Sequence, residues 1–535
     1  MAKEATQELK KEGLAALVSE RFLLSKSWRQ PLQDDWNRYY KLYRSQLDDS
    51  GDPWRSNLFI PYCFSTIETI LPRLVTNRPT FDFVPREPND QDKAELVNDL
   101  MKYQWDVTNM DLVMVDWVKE TLMYGTGILK CPWAMTQEVD GPMPQVVDLF
   151  DFFVDPSAVD IPDAKYVIHR TTKTLTYLKE MQKMGIYKNT ERLEGAGKIE
   201  DMKAERRSNM GLSDPMPDKK TKEVEILEYW TKNRVITVAN QQTIIRNDEN
   251  PYGFIPFIRL VDHKVPHEFY GIGEIEPIEG LQYELNDWRN HRMDGKTLTL
   301  NPMWWVPPGV DVDDFIAEPG AVISSSEKPE PIEVRSDKLS DYREEEIIKG
   351  DMQTATGVSD YSRGVESASG ISNETATGIS LIQEAANMRF RMKVMYIEEM
   401  AIKQVGLMIL KLDQKFISEE KVIRVTGTMG QDWQTITPED ITGEYDIVIE
   451  TGSSQPMNEE LRRRRAMELL TLFGQDPDLS PEGRVELKKS VMEAYGKKNA
   501  DQLFIPGGAL PPGVEAPIEE PPADSRRAAA EDINQ

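Results

Sequence analysis

The chain has 535 residues, 39% of them hydrophobic and 29% charged, enough for a large core and suited to three or four domains at roughly 150 residues each. Its two cysteines, Cys63 and Cys131, exclude a disulfide framework and point to a reducing compartment; the charged start MAKEATQELKKEG has no apolar core of a signal peptide, and no window nears the roughly 18 uncharged apolar residues of a membrane span. Against 64 basic residues stand 91 acidic ones, a net charge of −27, which disfavours an extended grip on a polyanion.

In chain order, residues 1–50 read as a Trp- and Tyr-rich helix ending at the DDSGDP turn, followed by a helix at 62–76 and an extended passage, TNRPTFDFVP. One long helix is expected from Asp92 to Tyr124, because Leu96, Leu100, Tyr103, Val107, Met110, Met114 and Trp117 alternate in steps of four and three. ILKCPW and QVVDLFDFFVDP read as strands, and LTYLKEMQKMG as a short helix closed by Gly185. Residues 186–222 have no apolar period and read as a mobile insertion. VEILEYW and NRVITVAN are strands with a turn at Lys232-Asn233, TIIRN adds a third, and NPYGFIPFIRL ends this β-rich block.

Helix is expected again from Gly273, then a β-type interlude at 301–336 with the segments MWWVPP, AVISSS and PIEV, then helix from Ser336 to about Thr356. GVSDYSRGVESASGISNETATG reads as an exposed loop. Ser372-Asn-Glu-Thr375 starts the longest helix, to about Phe416, and its ~42 residues would span roughly 60 Å, with a kink expected at Gly406. Strands VIRVTG and YDIVIETG precede a helical block from Asn458 to about Gly496, and the Pro-rich end is a flexible tail.

The catalytic motifs fail one by one. Gly295-Lys296-Thr297 has Asn290 where a phosphate-cradling loop needs glycine, and Gly197-Lys198 has Arg192 and Ile199 at the two diagnostic positions. Gly271-Ile-Gly273 has Glu276 in place of the third glycine of a dinucleotide loop. His263 and His267 are separated by Lys264, Val265 and Pro266, so no helix face aligns them on a zinc ion. Asp48-Asp49 and Asp313-Asp314 read as solvated turns, and no Gly-x-Ser-x-Gly elbow occurs. No enzyme, catalytic residue, metal site or cofactor is therefore expected. The run Arg462, Arg463, Arg464 and Arg465 points in four directions on a helix, which fits a solvated helix start as well as a phosphate-facing ring in an oligomer.

The order helix, β-rich block, helix, β interlude, helix, loop, very long helix resembles the portal (head-tail connector) proteins of tailed bacteriophages, most of all the larger portals of short-tailed phages. The phrases that carry the resemblance are YGTGILKCPW, VDLFDFFVDPSAVDIPDAKYVIHR, NPYGFIPFIRL, FYGIGEIEPIEGLQYELNDWRNHRMD and ETGSSQPMNEELRRRRAMELL, spread over about residues 55–500. The resemblance implies an α+β portal fold in a ring, usually of twelve copies. Its parts would be a wing at 1–272 holding the insertion 186–222, a first stem helix at 273–300, a clip at 301–335 and a second stem helix at 336–357. A tunnel loop at 358–374, the wing's long helix and strands at 375–455, a helical crown at 456–504 and the flexible tail 505–535 complete it.

The implied function is the channel for genome packaging and ejection at one capsid vertex, in the virion after assembly in the host cytoplasm. Implied partners are the terminase large subunit, a head-tail adaptor, the major capsid or scaffolding protein, and double-stranded DNA in transit without sequence specificity; no membrane is involved. The competing reading is another DNA-packaging component with nuclease or ATPase activity. Between Glu274 and Thr356 there are 19 acidic residues against 8 basic, a balance that suits a wall which DNA must slide past and equally a solvated outer face. Wall candidates are Asp337, Asp341, Glu344, Glu345 and Lys349. Trp304 and Trp305 read as clip core or subunit contact, and a β segment of ~35 residues is short for a core of its own, which favours the contact. In the tunnel loop, Ser359, Asp360, Ser362, Arg363, Glu366 and Asn373 are the residues expected to face DNA.

Overall fold

The structure, a computed structural model, describes residues 2–46, 55–76, 81–86, 91–135, 140–193, 223–301, 304–305, 330–331, 338–358, 388–418, 421–427, 430–449, 459–473 and 481–495. The chain divides into two units, Met1–Ile423 with Thr435–Pro456, and Arg424–Gln434 with Met457–Gln535. The first begins with helices α1 (Ala2–Tyr43) and α2 (Tyr62–Val75), strand β1 (Phe81–Pro85), and helices α3 (Gln91–Val107) and α4 (Met110–Tyr124). Strands β2 (Thr126–Lys130), β3 (Trp133–Met135), β4 (Asp140–Pro142), β5 (Gln145–Val147), β6 (Phe152–Val154) and β7 (Val167–Thr174) lead to helix α5 (Leu175–Lys183). Next come β8 (Glu223–Trp230), β9 (Arg234–Ala239), β10 (Thr243–Glu249), β11 (Phe257–Val261) and helix α6 (Glu279–Leu300). The pair β12 (Trp304–Trp305) and β13 (Glu330–Pro331) precedes α7 (Lys338–Thr356). A helix over 388–396 then passes through a π turn, Ile397–Ile402, into α8 (Lys403–Phe416). Strands β14 (Lys421–Gly427), β15 (Gly430–Ile436) and β16 (Tyr445–Ile449) follow, and the second unit carries helices α9 (Glu459–Phe473) and α10 (Pro481–Ala494).

The main sheet is antiparallel in the order β10-β9-β8-β7-β6. Successive side chains of a strand alternate between faces, and both faces here are apolar: Leu227, Tyr229, Ile236 and Val238 pack under Ala15, Val18 and Phe22 of α1, while Val224, Ile226 and Ala239 pack against Leu178 of α5 and Leu193. Leu193 and the buried Thr190 belong to the first residues of the segment expected as a mobile insertion. Residues 186–193 are instead folded onto the sheet, with the Lys188 amide donating to the Ile245 carbonyl, and 194–222 lie outside the described residues. A second sheet, β11-β2-β5, is antiparallel too.

One expected helix is divided. The helix expected over 92–124 is two helices, broken at Asn109, whose φ of 50° is left-handed, a conformation Asn tolerates better than most residues. In α3 the buried positions are Ala94, Val97, Leu100, Met101, Gln104 and Trp105, whereas Val107 is 52% exposed; the stripe read from the sequence was turned partly off the core. Gly406, the expected kink point, lies within α8, about one turn after the π turn Ile397–Ile402. A Cβ there would stand 2.7 Å from Ile447 Cδ1 and 3.6 Å from Phe83 Cζ. The glycine is what lets α8 lie directly on the antiparallel pair β1–β16.

The extended segment 55–61 pairs with no strand. Its backbone is satisfied by one face of α6, where Gln282, Asn286, Asn290 and Asp294 recur every fourth residue. Asp294 Oδ1 accepts from the Ser56 amide at 2.6 Å, Asn290 Oδ1 from Leu58 at 2.7 Å, Asn286 Oδ1 from Ile60 at 3.0 Å and Gln282 Oε1 from Cys63 at 3.2 Å. Asn290 Nδ2 and Gln282 Nε2 return hydrogen bonds to the carbonyls of Leu58 and Ile60. Four helical residues rise about 6 Å and two extended residues about 6.6 Å, so the two repeats stay in step over three rungs.

The tight approach at Gly406 gives a stability prediction. Gly406→Ala should destabilise the protein by about 1–3 kcal/mol through overpacking, although alanine is the better helix former. Ile447→Val removes the Cδ1 atom that the new methyl meets, so the double variant should recover part of the loss in thermal unfolding. A double variant no more stable than the sum of the single changes would contradict the contact.

Candidate functional site

Helices α6 and α7 enclose the β12–β13 pair and pack on each other. Glu345 of α7 meets Arg292 of α6, and the far part of α7 reaches the turn Glu276–Ile278 ahead of α6, so the two run antiparallel. Glu345 is buried and collects three cations: Arg292 Nη1 at 2.5 Å, Lys349 Nζ at 2.9 Å and Arg289 Nη1 at 3.4 Å. Burial works against its charge, but Lys349 and Arg292 hold the carboxyl below the usual range. With the backbone ladder, this ion cluster uses up the inner face of the pair. Outward stand Glu276, Glu284, Asp287, Glu346 and Asp351, with Arg343 and Lys296 as the exposed cations among them.

Of the wall candidates, Glu345 and Lys349 are thus drawn into the helix–helix contact, and Glu344 is half-buried. Asp341 lies on α7 with its side chain outside the described set, and Asp337 lies outside the described residues. Trp304 pairs with Pro331 and Trp305 with Glu330 in β12–β13. All six tunnel-loop residues, Ser359, Asp360, Ser362, Arg363, Glu366 and Asn373, lie outside the described residues. The basic run sits on α9; Arg463 Nε donates to the Ala494 carbonyl at 3.3 Å and its guanidinium lies over Tyr495, while Arg464 is exposed.

Besides Arg292 and Arg259, three buried cations that escaped the sequence reading tie distant segments together. Arg29, on the buried stripe of α1, donates to the carbonyls of Leu149, Phe150 and Phe152 around a 3-10 turn and stacks over Phe153; burial pushes its guanidinium down to about 10. Lys130 of β2 meets Glu228 of β8 at 2.6 Å with His169 of β7 alongside, tying the two larger sheets together. Lys130 and His169 outweigh burial to hold Glu228 well below the carboxylate range, and burial together with Lys130 pushes His169 down.

The third is Lys393, whose ammonium contacts Asp262 Oδ1, Glu274 Oε1 at 2.5 Å and His263 Nε2 at 3.1 Å. Asp262, His263 and Glu274 have the donor types and closeness of a metal site, but the lysine occupies their centre and supplies the positive charge itself. Two carboxylates then share one ammonium. Burial pushes Asp262 up to about 6, while His263 and Lys393 overcome burial to hold Glu274 down to about 2. A cavity of about 300 Å³ lies between β11, the turn Ile161–Asp163, the π turn Ile397–Ile402 and α8, lined by Phe257, Ile258, Met400, Leu407 and Met408 with Arg259 at its wall. The i+4 run of Gln282, Asn286, Asn290 and Asp294 was visible in the sequence as a polar stripe. The ion clusters had no such signal, since Lys393 and Asp262 are 131 residues apart.

A family model described as phage SU10 portal protein matches residues 14–144 and 135–534. No curated protein matches the chain. The match spans most of the sequence, and the chain belongs to this family of phage portal proteins. The family is structural, not enzymatic, and its members' place is the portal vertex of the virion. The mixed helix-and-sheet architecture agrees with the α+β expectation, and among the described residues no helix is long and apolar enough to cross a membrane.

The Lys393 cluster predicts an unusual pH response. The folded pKa of Asp262, about 6, lies above its ordinary 3.8, so the folded state takes up the proton first and gains stability as pH falls through 6. Between pH 8 and pH 5 the gain should be about 1 kcal/mol; below pH 4.5 the depressed Glu274 begins to reverse it. Asp262→Asn should remove that gain while leaving the general pH trend of an acidic protein intact. Urea unfolding of both proteins at pH 8 and pH 5 checks this, and an undiminished difference in the variant would count against it.

Proposed function

We propose that copies of this chain form a ring, with twelve subunits the expected number, at one vertex of the capsid, and that its axis is the channel for DNA during packaging and ejection. The α6–α7 pair supports this reading most directly. Its inner face is locked by backbone hydrogen bonds and buried ions, and among the described side chains its outer face, with Glu276 of the turn ahead of α6, carries five exposed acids against two exposed cations. Facing a lumen, such a surface repels phosphate and lowers the barrier that each sticky contact would add to sliding. Glu276, Glu284, Asp287, Glu346 and Asp351 are the proposed wall, joined by Glu344, Asp337 and Asp341; Glu345 and Lys349 position the helices.

Segment 301–335, with Trp304 and Trp305, is the proposed clip that meets the terminase large subunit and later the head-tail adaptor. Segment 358–374 is the proposed tunnel loop, in which Ser359, Asp360, Ser362, Arg363, Glu366 and Asn373 pass close to DNA without reading its sequence. The wing meets the major capsid or scaffolding protein, assembly takes place in the host cytoplasm, and ATP hydrolysis is left to the terminase.

Images of the purified full-length protein should show rings with an axial hole, and sedimentation should give a species many times the monomer mass. A monomer across salt and protein concentration would defeat the ring. Within assembled rings, reversing two wall charges in Glu284→Lys/Asp287→Lys should leave assembly intact and slow packaging several-fold at low salt, the deficit shrinking as salt screens the added cations. Unchanged packaging at every ionic strength would place this face away from DNA.

A further inference from the structure

The second unit presents two helices, α9 of 15 residues and α10 of 14, that pack on each other almost without a core. Among their described side chains Ala494 alone is buried. Helices of this length are marginal in water unless an apolar face is covered. On α9, Leu469, Leu472 and Phe473 fall at i, i+3 and i+4, one stripe on the flank of the hairpin, and are 47%, 66% and 45% exposed. Met467 and Tyr495, at 44% and 53%, extend the apolar surface.

From this geometry we infer that the stripe Leu469–Leu472–Phe473 packs against the same hairpin of a neighbouring copy, so that the C-terminal helices of successive subunits complete one another's core. The inference rests on the ring reading above, since only a repeated head-to-tail contact gives every hairpin one neighbour on each side. Charge favours the same occupant. Glu468 stands exposed on α9 and Lys488 exposed on α10, so α9 of one copy set beside α10 of the next brings opposite charges together at the edge of the apolar stripe. Arg463 is engaged inside the hairpin by the Ala494 carbonyl and the Tyr495 ring, so it stabilises the hairpin and does not face outward.

The test is hydrogen exchange on the full-length protein, with ring and monomer separated by size, for the wild type and for Leu469→Ser/Leu472→Ser. Wild-type amides of 459–473 and 481–494 should exchange on the order of 10-fold more slowly in the ring than in the monomer, and the amides of the five-stranded sheet equally in both. The variant should either form rings whose hairpin has lost that protection or fail to form rings while its sheet stays protected. Equal hairpin protection in wild-type ring and monomer would mean that the chain covers its own stripe and would overturn the inference, as would full hairpin protection in variant rings. A wild type that never assembles would appear in the mass profile first and would remove the ring reading along with this one. As a second measurement, Leu472→Cys/Lys488→Cys, which puts one thiol on each side of the proposed contact while native Cys63 and Cys131 stay buried, should give a ladder of covalent multimers with a short bis-maleimide in the ring. Monomer alone on the denaturing gel would overturn the contact.

Discussion

An extended segment outside any sheet has no neighbouring strand to pair with its backbone groups, so side chains or water must supply the partners. Residues 56–63 find those partners on α6, and much of the first unit's geometry follows. The rungs at Gln282, Asn286 and Asn290 set the rotation of α6 about its axis: turning the helix by one residue moves every rung by about 100° and breaks the ladder at once. With that face turned inward, Arg292 is brought to Glu345 of α7, and Tyr283, Glu284 and Asp287 must point away. The acidic outer face is therefore a consequence of amide chemistry on the opposite side of the same helix.

The ladder is neutral apart from Asp294, whereas the other long-range ties use charge. Arg29 binds carbonyls, Lys130 binds Glu228, Lys393 binds Asp262 and Glu274, and each cation is buried. Removing one partner of such a group leaves an uncompensated charge in the interior, which is far more costly than the pair is stabilising. These clusters therefore specify which segments meet more than they raise the overall stability. They join the second half of α1 to the loop after β5, β2 to the main sheet, and the helix over 388–396 to the end of β11.

Element type was legible in the sequence wherever one periodicity dominated: the Trp-rich first helix, the strands VEILEYW and NRVITVAN, and the helices on both sides of Trp304-Trp305 all appear. The break at Asn109 was hidden because apolar residues run through it at helical spacing, and only the backbone shows that α3 and α4 bury different stripes. Strand β15, GQDWQTI, was missed because polar residues outnumber apolar ones in it. Gly406 was read as a kink because helix rules weigh glycine by flexibility, and its close approach to Ile447 and Phe83, far away in the chain, had no local signal. Glu345 was grouped with exposed acids for a similar reason: three adjacent glutamates on one helix look alike until a second helix decides which of them turns inward.

Composition gives a net charge of −27, and among the described residues the buried charges nearly cancel. Among the described residues, Arg29, Lys130, Arg259, Arg292 and Lys393 are buried, and so are Asp155, Asp262, Glu274, Glu345, Glu398 and Asp413. Five cations against six acids leave the described interior close to neutral, so the charge that the described residues carry in excess stands on exposed and half-buried side chains. A surface of one sign raises the local potential where it is concave or repeated, and solvent ions screen it only beyond a Debye length of about 8 Å at physiological salt. Copies of α6 and α7 arranged closer than that around an axis would add their fields, and a phosphate backbone passing between them would meet repulsion from every side. Repulsion that is equal on all sides centres a polyanion without binding it. That is the electrostatic condition for a conduit, and only copies set around an axis could meet it; the single chain contributes one locked, acidic, outward-facing stripe.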